Sequence, residues 1–143
     1  MANGMYNSGL NAVMVGTIDL DGTSDMRGIM LKSAYTYDPD HDDVADFSAG
    51  EMAQGAACRT TLGGETTIID DTANTCAFDC NDPSHTSLVA GDTPSQWCVY
   101  LYNATDSAAQ ALCRCALSGT PASPNGGNYG LTIPAAGVFT IAS

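Results

Sequence analysis

The residues of this chain with chemistry to offer are six cysteines, two histidines and a run of aspartates. Asp38, Asp40, Asp42 and Asp43 stand close together, and alternating carboxylates are the donors that wrap a hard cation such as calcium. The run lacks the glycine at the sixth place and the chelating glutamate at the twelfth that a calcium-binding loop between helices uses. It reads as a solvated surface loop. Asp19 and Asp21 flank Leu20 just ahead of Gly22, where carboxylates serve a tight turn.

The cysteines are Cys58, Cys76, Cys80, Cys98, Cys113 and Cys115. Cys76 and Cys80 share a stretch with strand character, where two such positions lie ~13 Å apart and cannot share a zinc ion or bond to each other. Cross-strand pairing is more physical. A hairpin centred near residue 106 sets Cys98 opposite Cys115, and the β-carbons of a non-hydrogen-bonded pair approach within bridging range. The alternative is that these thiols simply pack as small apolar side chains.

His41 and His85 lie in polar stretches beside Asp and Pro residues, with no nucleophile placed to use them. Ser84 next to His85 does not make a triad. A phosphate-binding loop, a dinucleotide fingerprint and a zinc-protease helix are all missing from the sequence. The chain is therefore expected to have no catalytic, cofactor-binding or metal-binding residues and not to be an enzyme.

Composition narrows the classes further. Hydrophobic residues make up 44% and charged ones only 14%, so a core can form beneath a surface of Ser, Thr, Asn and Gly. Four basic residues oppose sixteen acidic ones, for a net charge of −12. Arg27, Lys32, Arg59 and Arg114 are scattered, which disfavours direct binding to nucleic acid or to an anionic membrane. No signal-peptide pattern opens the sequence and no apolar run is long enough to span a membrane. A soluble protein made in the cytoplasm, with reduced cysteines, is expected.

These residues are positioned by short elements within one domain, residues 1–143. A short amphipathic helix falls within about residues 4–15, with Tyr6, Leu10, Val13 and Met14 on one face and Asn3 as its cap. Gly9 weakens it and Gly16 ends it. Asp25–Ser33 reads as a strand buried on both faces, and Val44–Phe47 as a short strand. Ala56–Leu62 and Glu65–Asp70 read as a hairpin about Gly63 and Gly64, with Thr75–Cys80 pairing to Glu65–Asp70. Trp97–Tyr102, apolar on both faces and so central, pairs with Leu112–Leu117 around Asn103–Ala109. Pro121–Gly130 is a loop and Val138–Ala142 a terminal strand. The spacing of turns predicts an all-β fold, an antiparallel β-sandwich or barrel-like domain with one short N-terminal helix.

Several segments together resemble a family of small tailed-bacteriophage virion proteins. The opening MANGMYNSGL, Met1–Leu10, is similar to the family's start, a short helix leading to a glycine and an Ile-Asp pair, here Gly16 to Asp19. Asp25–Lys32 and His41–Phe47 occupy the places of its extended strand and of a loop ending near a histidine and an aromatic residue. Gly91–Tyr102, Ala111–Gly119, the Pro-Asn-Gly-Gly run at 124–127, Ile133 and Phe139 match its last hairpin, loop and terminal strand. The resemblance implies a β-sandwich protein on the capsid surface of a virion, a capsid decoration or cement protein without catalytic residues. Its partners would be the major capsid protein and neighbouring copies of itself, as a homo-oligomer on the particle. Ala2–Val15 and Pro121–Thr132 are then the expected docking elements, and removal of residues 2–15 is expected to abolish particle binding without unfolding the domain. A tail or head-fibre component is the alternative within virions. The competitor from a different class is a carbohydrate-binding module, which would need an exposed aromatic platform.

Overall fold

Most of the short apolar runs of the sequence form strands in a computed structural model, which describes residues 3–52, 55–88, 90–117 and 123–142. In chain order the elements are β1 (Asn3–Met5), α1 (Asn7–Met14), β2 (Met26–Lys32), α2 (Val44–Phe47), β3 (Arg59–Thr61), β4 (Thr66–Asp70) and β5 (Thr75–Asp79). There follow β6 (Ser84–His85), β7 (Pro94–Leu101), β8 (Ala111–Ala116), β9 (Tyr129–Gly130) and β10 (Phe139–Ala142). Every strand pairing among the described residues is antiparallel. Five strands form one sheet in the order β1-β8-β7-β2-β3, three form a second in the order β10-β5-β4, and β6 pairs with β9. The fold is all-β, sandwich-like, with one N-terminal helix of two turns.

β7 is the central strand because both of its faces are apolar. Trp97, Cys98, Val99 and Tyr100 are all buried, as are Ile29, Met30 and Leu31 on the adjacent β2. Register divides the side chains between two faces. Trp97 pairs with Cys115 and Val99 with Cys113, placing these four on one face, while Cys98 pairs with Arg114 on the other. Gly28 lies opposite Val99, and the Trp97 indole fills the space a side chain there would need. The first face meets the three-stranded sheet: the Cys115 thiol donates to the Val138 carbonyl at 3.5 Å, and Phe78 and Phe139 pack ring to ring behind it. The second face is covered by α1 and by an aromatic cluster of Tyr6, Tyr35, Tyr37 and Phe47.

Four expectations are corrected. The N-terminal segment begins as β1, paired with β8, and the helix starts only at Asn7, with Tyr6 rather than Asn3 at its cap. Val44–Phe47 is helical, not extended, because Asp43 accepts from the Ala45 amide while Asp46 reaches back to the Asp43 amide, a reciprocal capping box. The Gly63-Gly64 turn does not close a hairpin. β3 pairs with β2, and the Leu62 amide still donates to the Met26 carbonyl, so Gly64, at φ +67°, carries the chain from one sheet to the other. Finally, β7 and β8 pair one residue away from the predicted register, and a bulge between Val99 and Tyr100 shifts it further. One step of register moves a side chain to the other face, so Cys98 and Cys115 point apart and all six cysteines are free. The β4–β5 pairing and the β7–β8 hairpin stand as expected.

Candidate docking surface

Most of the residues with chemistry to offer are occupied by structure; Cys76 is the one exposed thiol. Asp38 accepts the Asp40 amide at 3.0 Å, Asp40 accepts the Asn7 side-chain amide at 2.7 Å, and Asp46 accepts the Asp42 amide at 2.8 Å. The aspartate run thus holds its own backbone and the start of α1. Asp19 likewise accepts the Asp21 amide and the Thr23 hydroxyl, which lowers its carboxyl below the ordinary range, Thr23 first. Among the described residues no three His, Cys, Asp or Glu side chains are grouped to hold a metal.

His41 ends a buried relay. Its Nδ1 lies 3.1 Å from the Tyr35 hydroxyl, which lies 2.9 Å from the Tyr6 hydroxyl, itself 3.2 Å from the Cys98 thiol. Burial pushes Cys98 and Tyr35 each up to about 12 and raises Tyr6 further, so the thiol and both phenols stay neutral at physiological pH. A neutral thiol without access to solvent is a packing element, not a nucleophile.

His85 is also interior, while its neighbour Ser84 faces out, as strand alternation requires. The backbone of Ala57 and Cys58 lies beside its ring nitrogens. Burial lowers it to about 4, opposed by the nearby Ala57 and Cys58 backbone, so it is an uncharged imidazole.

One cluster escaped the sequence reading. The Arg59 guanidinium grips Glu51 through Nε and Nη2 at 2.7 Å each, and Asp106 through Nη1 and Nη2 at 2.7 and 2.9 Å. The Cys58 thiol donates to the same Glu51 at 2.8 Å, and burial followed by that carboxylate holds the thiol well above its ordinary range. Glu51 and Asp106 lie 8 and 47 positions from Arg59, so no local pattern announces them. The arrangement pins two loops to β3 and leaves no free acid or base.

The surface is more informative. Seven large hydrophobic side chains are exposed among the described residues, and Tyr102 among them lies under the Arg27 guanidinium at 3.3 Å. The other six fall into two groups: Leu10, Met14 and Val15 at α1, and Ile68, Ile69 and Ile141 on β4 and β10. The helix was expected to bury Tyr6, Leu10, Val13 and Met14. Instead it lies on β8 through Gly9 and Ala12, because glycine lets the two backbones approach. Tyr6 and, in part, Val13 still face the core, but Leu10 and Met14 turn outward, Met14 with 78% of its surface exposed.

The second expected docking element is described from residue 123 onward, and residues 121 and 122 lie outside the described residues. The Leu88 amide donates to Gly127, Gly126 donates back to Leu88, and Leu131 donates to Pro83. Asp82 accepts the Ile133 amide at 2.7 Å. The loop is thereby laced to residues 82–88, with Asn125–Asn128 exposed at its tip. No described helix is long and apolar enough to cross a membrane. Comparison with protein-family models, with curated proteins and with solved structures finds no match to this chain.

Proposed function

We propose that this chain is a virion structural protein, a capsid decoration or cement protein that docks on the major capsid protein and on neighbouring copies of itself. The observation that carries the docking reading is the outward group of Leu10, Met14 and Val15, on and just after a helix whose backbone packs against that of β8 at Gly9. Apolar side chains held outward on a fixed scaffold fit a surface made to be covered. The virion setting rests on the sequence resemblance. A sugar-binding reading loses its best platform, since Trp97 lies in the core at 1% exposure.

Immunogold electron microscopy of intact particles tests the setting. Label spread evenly over the head supports capsid decoration, label confined to the tail or one vertex favours a tail or head-fibre component, and unlabelled particles argue against both. Cosedimentation with particles then tests the stripe. Leu10→Ser with Met14→Ser should abolish cosedimentation while leaving the melting temperature near that of the parent. Undiminished binding would remove α1 from the interface.

A further inference from the structure

The second exposed apolar group has a different architecture. On the three-stranded sheet, Thr67, Phe78 and Phe139 form one cross-strand row, and Ile69, Cys76 and Ile141 form the next row on the same face. Phe78 and Phe139 are in the core, whereas Ile69 and Ile141 are 73% and 45% exposed. The apolar floor of the interior therefore runs out into solvent. Ile69, Cys76 and Ile141 line a shallow hollow of about 330 Å³ with Asp70, Asp71, Asn74 and Thr75 at its rim.

This row ends at an open sheet edge. Among the described residues β4 is the last strand of its sheet, and all five of its residues are exposed. An edge strand presents unpaired amides and carbonyls that another extended chain can complete. The charge around it is of one sign. From residue 60 to 82 the chain carries Glu65, Asp70, Asp71, Asp79 and Asp82 and no Lys or Arg. Three of the four cations are committed elsewhere, Arg27 to Asp25, Arg59 to Glu51 and Asp106, and Arg114 against the Tyr37 ring. The fourth, Lys32, ends β2 in the other sheet.

We propose that the β4 edge and the Ile69–Cys76–Ile141 row form a docking surface for an extended, lysine- or arginine-bearing segment of another protein, which adds to the sheet beside β4. Basic side chains have aliphatic stems that lie along isoleucines and end groups that reach the acidic rim. A second copy of this chain fits poorly. Two β4 strands paired antiparallel about Ile68 bring Glu65 opposite Asp71 at both ends, and like charges facing each other across a pair repel. The inference holds whether or not the partner belongs to a capsid.

The test titrates the isotope-labelled full chain with a synthetic peptide of alternating lysine and valine, followed by amide shifts and fluorescence anisotropy. Shifts should concentrate on β4 and on the row ending at Ile141, and binding should weaken as salt rises. Ile69→Ser, Asp71→Lys, and a peptide of equal charge with proline at its centre should each bind about tenfold or more weakly, since proline cannot complete the ladder. Circular dichroism confirms that the variants, both at exposed positions, remain folded. Equal affinity for the proline peptide, or shifts spread over every acidic surface, reduces the effect to charge attraction and overturns the proposal. Self-association of the free chain through β4 also overturns it. So does an absence of binding, which leaves the acids as guards of an edge strand.

Discussion

Gly9 on α1 rests against Leu112 on β8 so closely that a β-carbon at residue 9 would stand 2.6 Å from the Leu112 carbonyl oxygen. This single approach decides the orientation of the helix. With backbone against backbone, Gly9 and Ala12 form the buried side, and the longer Leu10 and Met14 have nowhere to go but outward. A poor helix former in mid-helix and an exposed apolar stripe are two consequences of one contact.

Gly9→Ala sets two effects against each other. Helix propensity favours alanine by about 1 kcal/mol, while overpacking against an immobile neighbour costs about 1–3 kcal/mol. The atoms in the way are backbone, which cannot swing aside, so the variant should lower the urea midpoint, and Gly9→Val should lower it more. A stabilised Gly9→Ala would mean that helix and strand stand farther apart than described. Removing residues 2–15 is a different matter: it deletes β1 and the buried Tyr6, so it should unfold the domain and not merely undock it.

Arg59 offers a test of geometry against charge. Its two forked contacts need a planar guanidinium, and lysine keeps the charge but not the fork. Arg59→Lys should destabilise by about 1–2 kcal/mol, and Arg59→Ala by about 3 kcal/mol, because Glu51 is then left largely buried without its partner. Chemical denaturation of both variants checks the order. Equal losses would assign the effect to charge alone.

How much of this was legible follows from the range of each signal. The β4–β5 and β7–β8 hairpins and the doubly buried β2 were readable, because alternation and turn residues are local. The α2 cap was present as Asp43 and Asp46 at the right spacing, but Val44 and Phe47 drew attention to a strand instead. The β7–β8 register was beyond reach, since the loop length gives a centre only to within a residue and the bulge at Val99 moves it again. The outward stripe was hidden for a related reason. Periodicity says which side chains share a face, and only the glycine contact with Leu112 says which face is buried.

The cysteines can be counted directly. Cys76 is exposed and the other five are buried. Burial also pushes Cys80 and Cys98 to about 12 and raises Cys58 and Cys113, so these thiols are both shielded and unionised at neutral pH. Iodoacetamide on the folded protein should add once, at Cys76, and after unfolding without reductant it should add at all six positions. Mass spectrometry reads both numbers. Four additions in the unfolded chain would reveal a bridge and overturn the register that separates Cys98 from Cys115.

His85 predicts a particular window of acid sensitivity. Its ordinary value is 6.5, and burial first lowers it to about 4 in the folded protein. Between those values the unfolded chain takes up a proton and the folded chain does not, so stability rises with pH across the window and falls as acid is added. The loss should begin below about pH 6.5, approach about 3 kcal/mol near pH 4, and then level off. Asp106, held down by its Arg59 hydrogen bonds, contributes stability that is lost only at lower pH, as it protonates below its ordinary value of 3.8. His85→Leu, which keeps an apolar side chain in the interior, should therefore flatten the upper window and leave the lower one intact. Denaturation curves collected from pH 7 to about pH 2 decide the matter: parallel slopes for parent and variant above pH 4 would mean that the buried imidazole gains its proton without penalty.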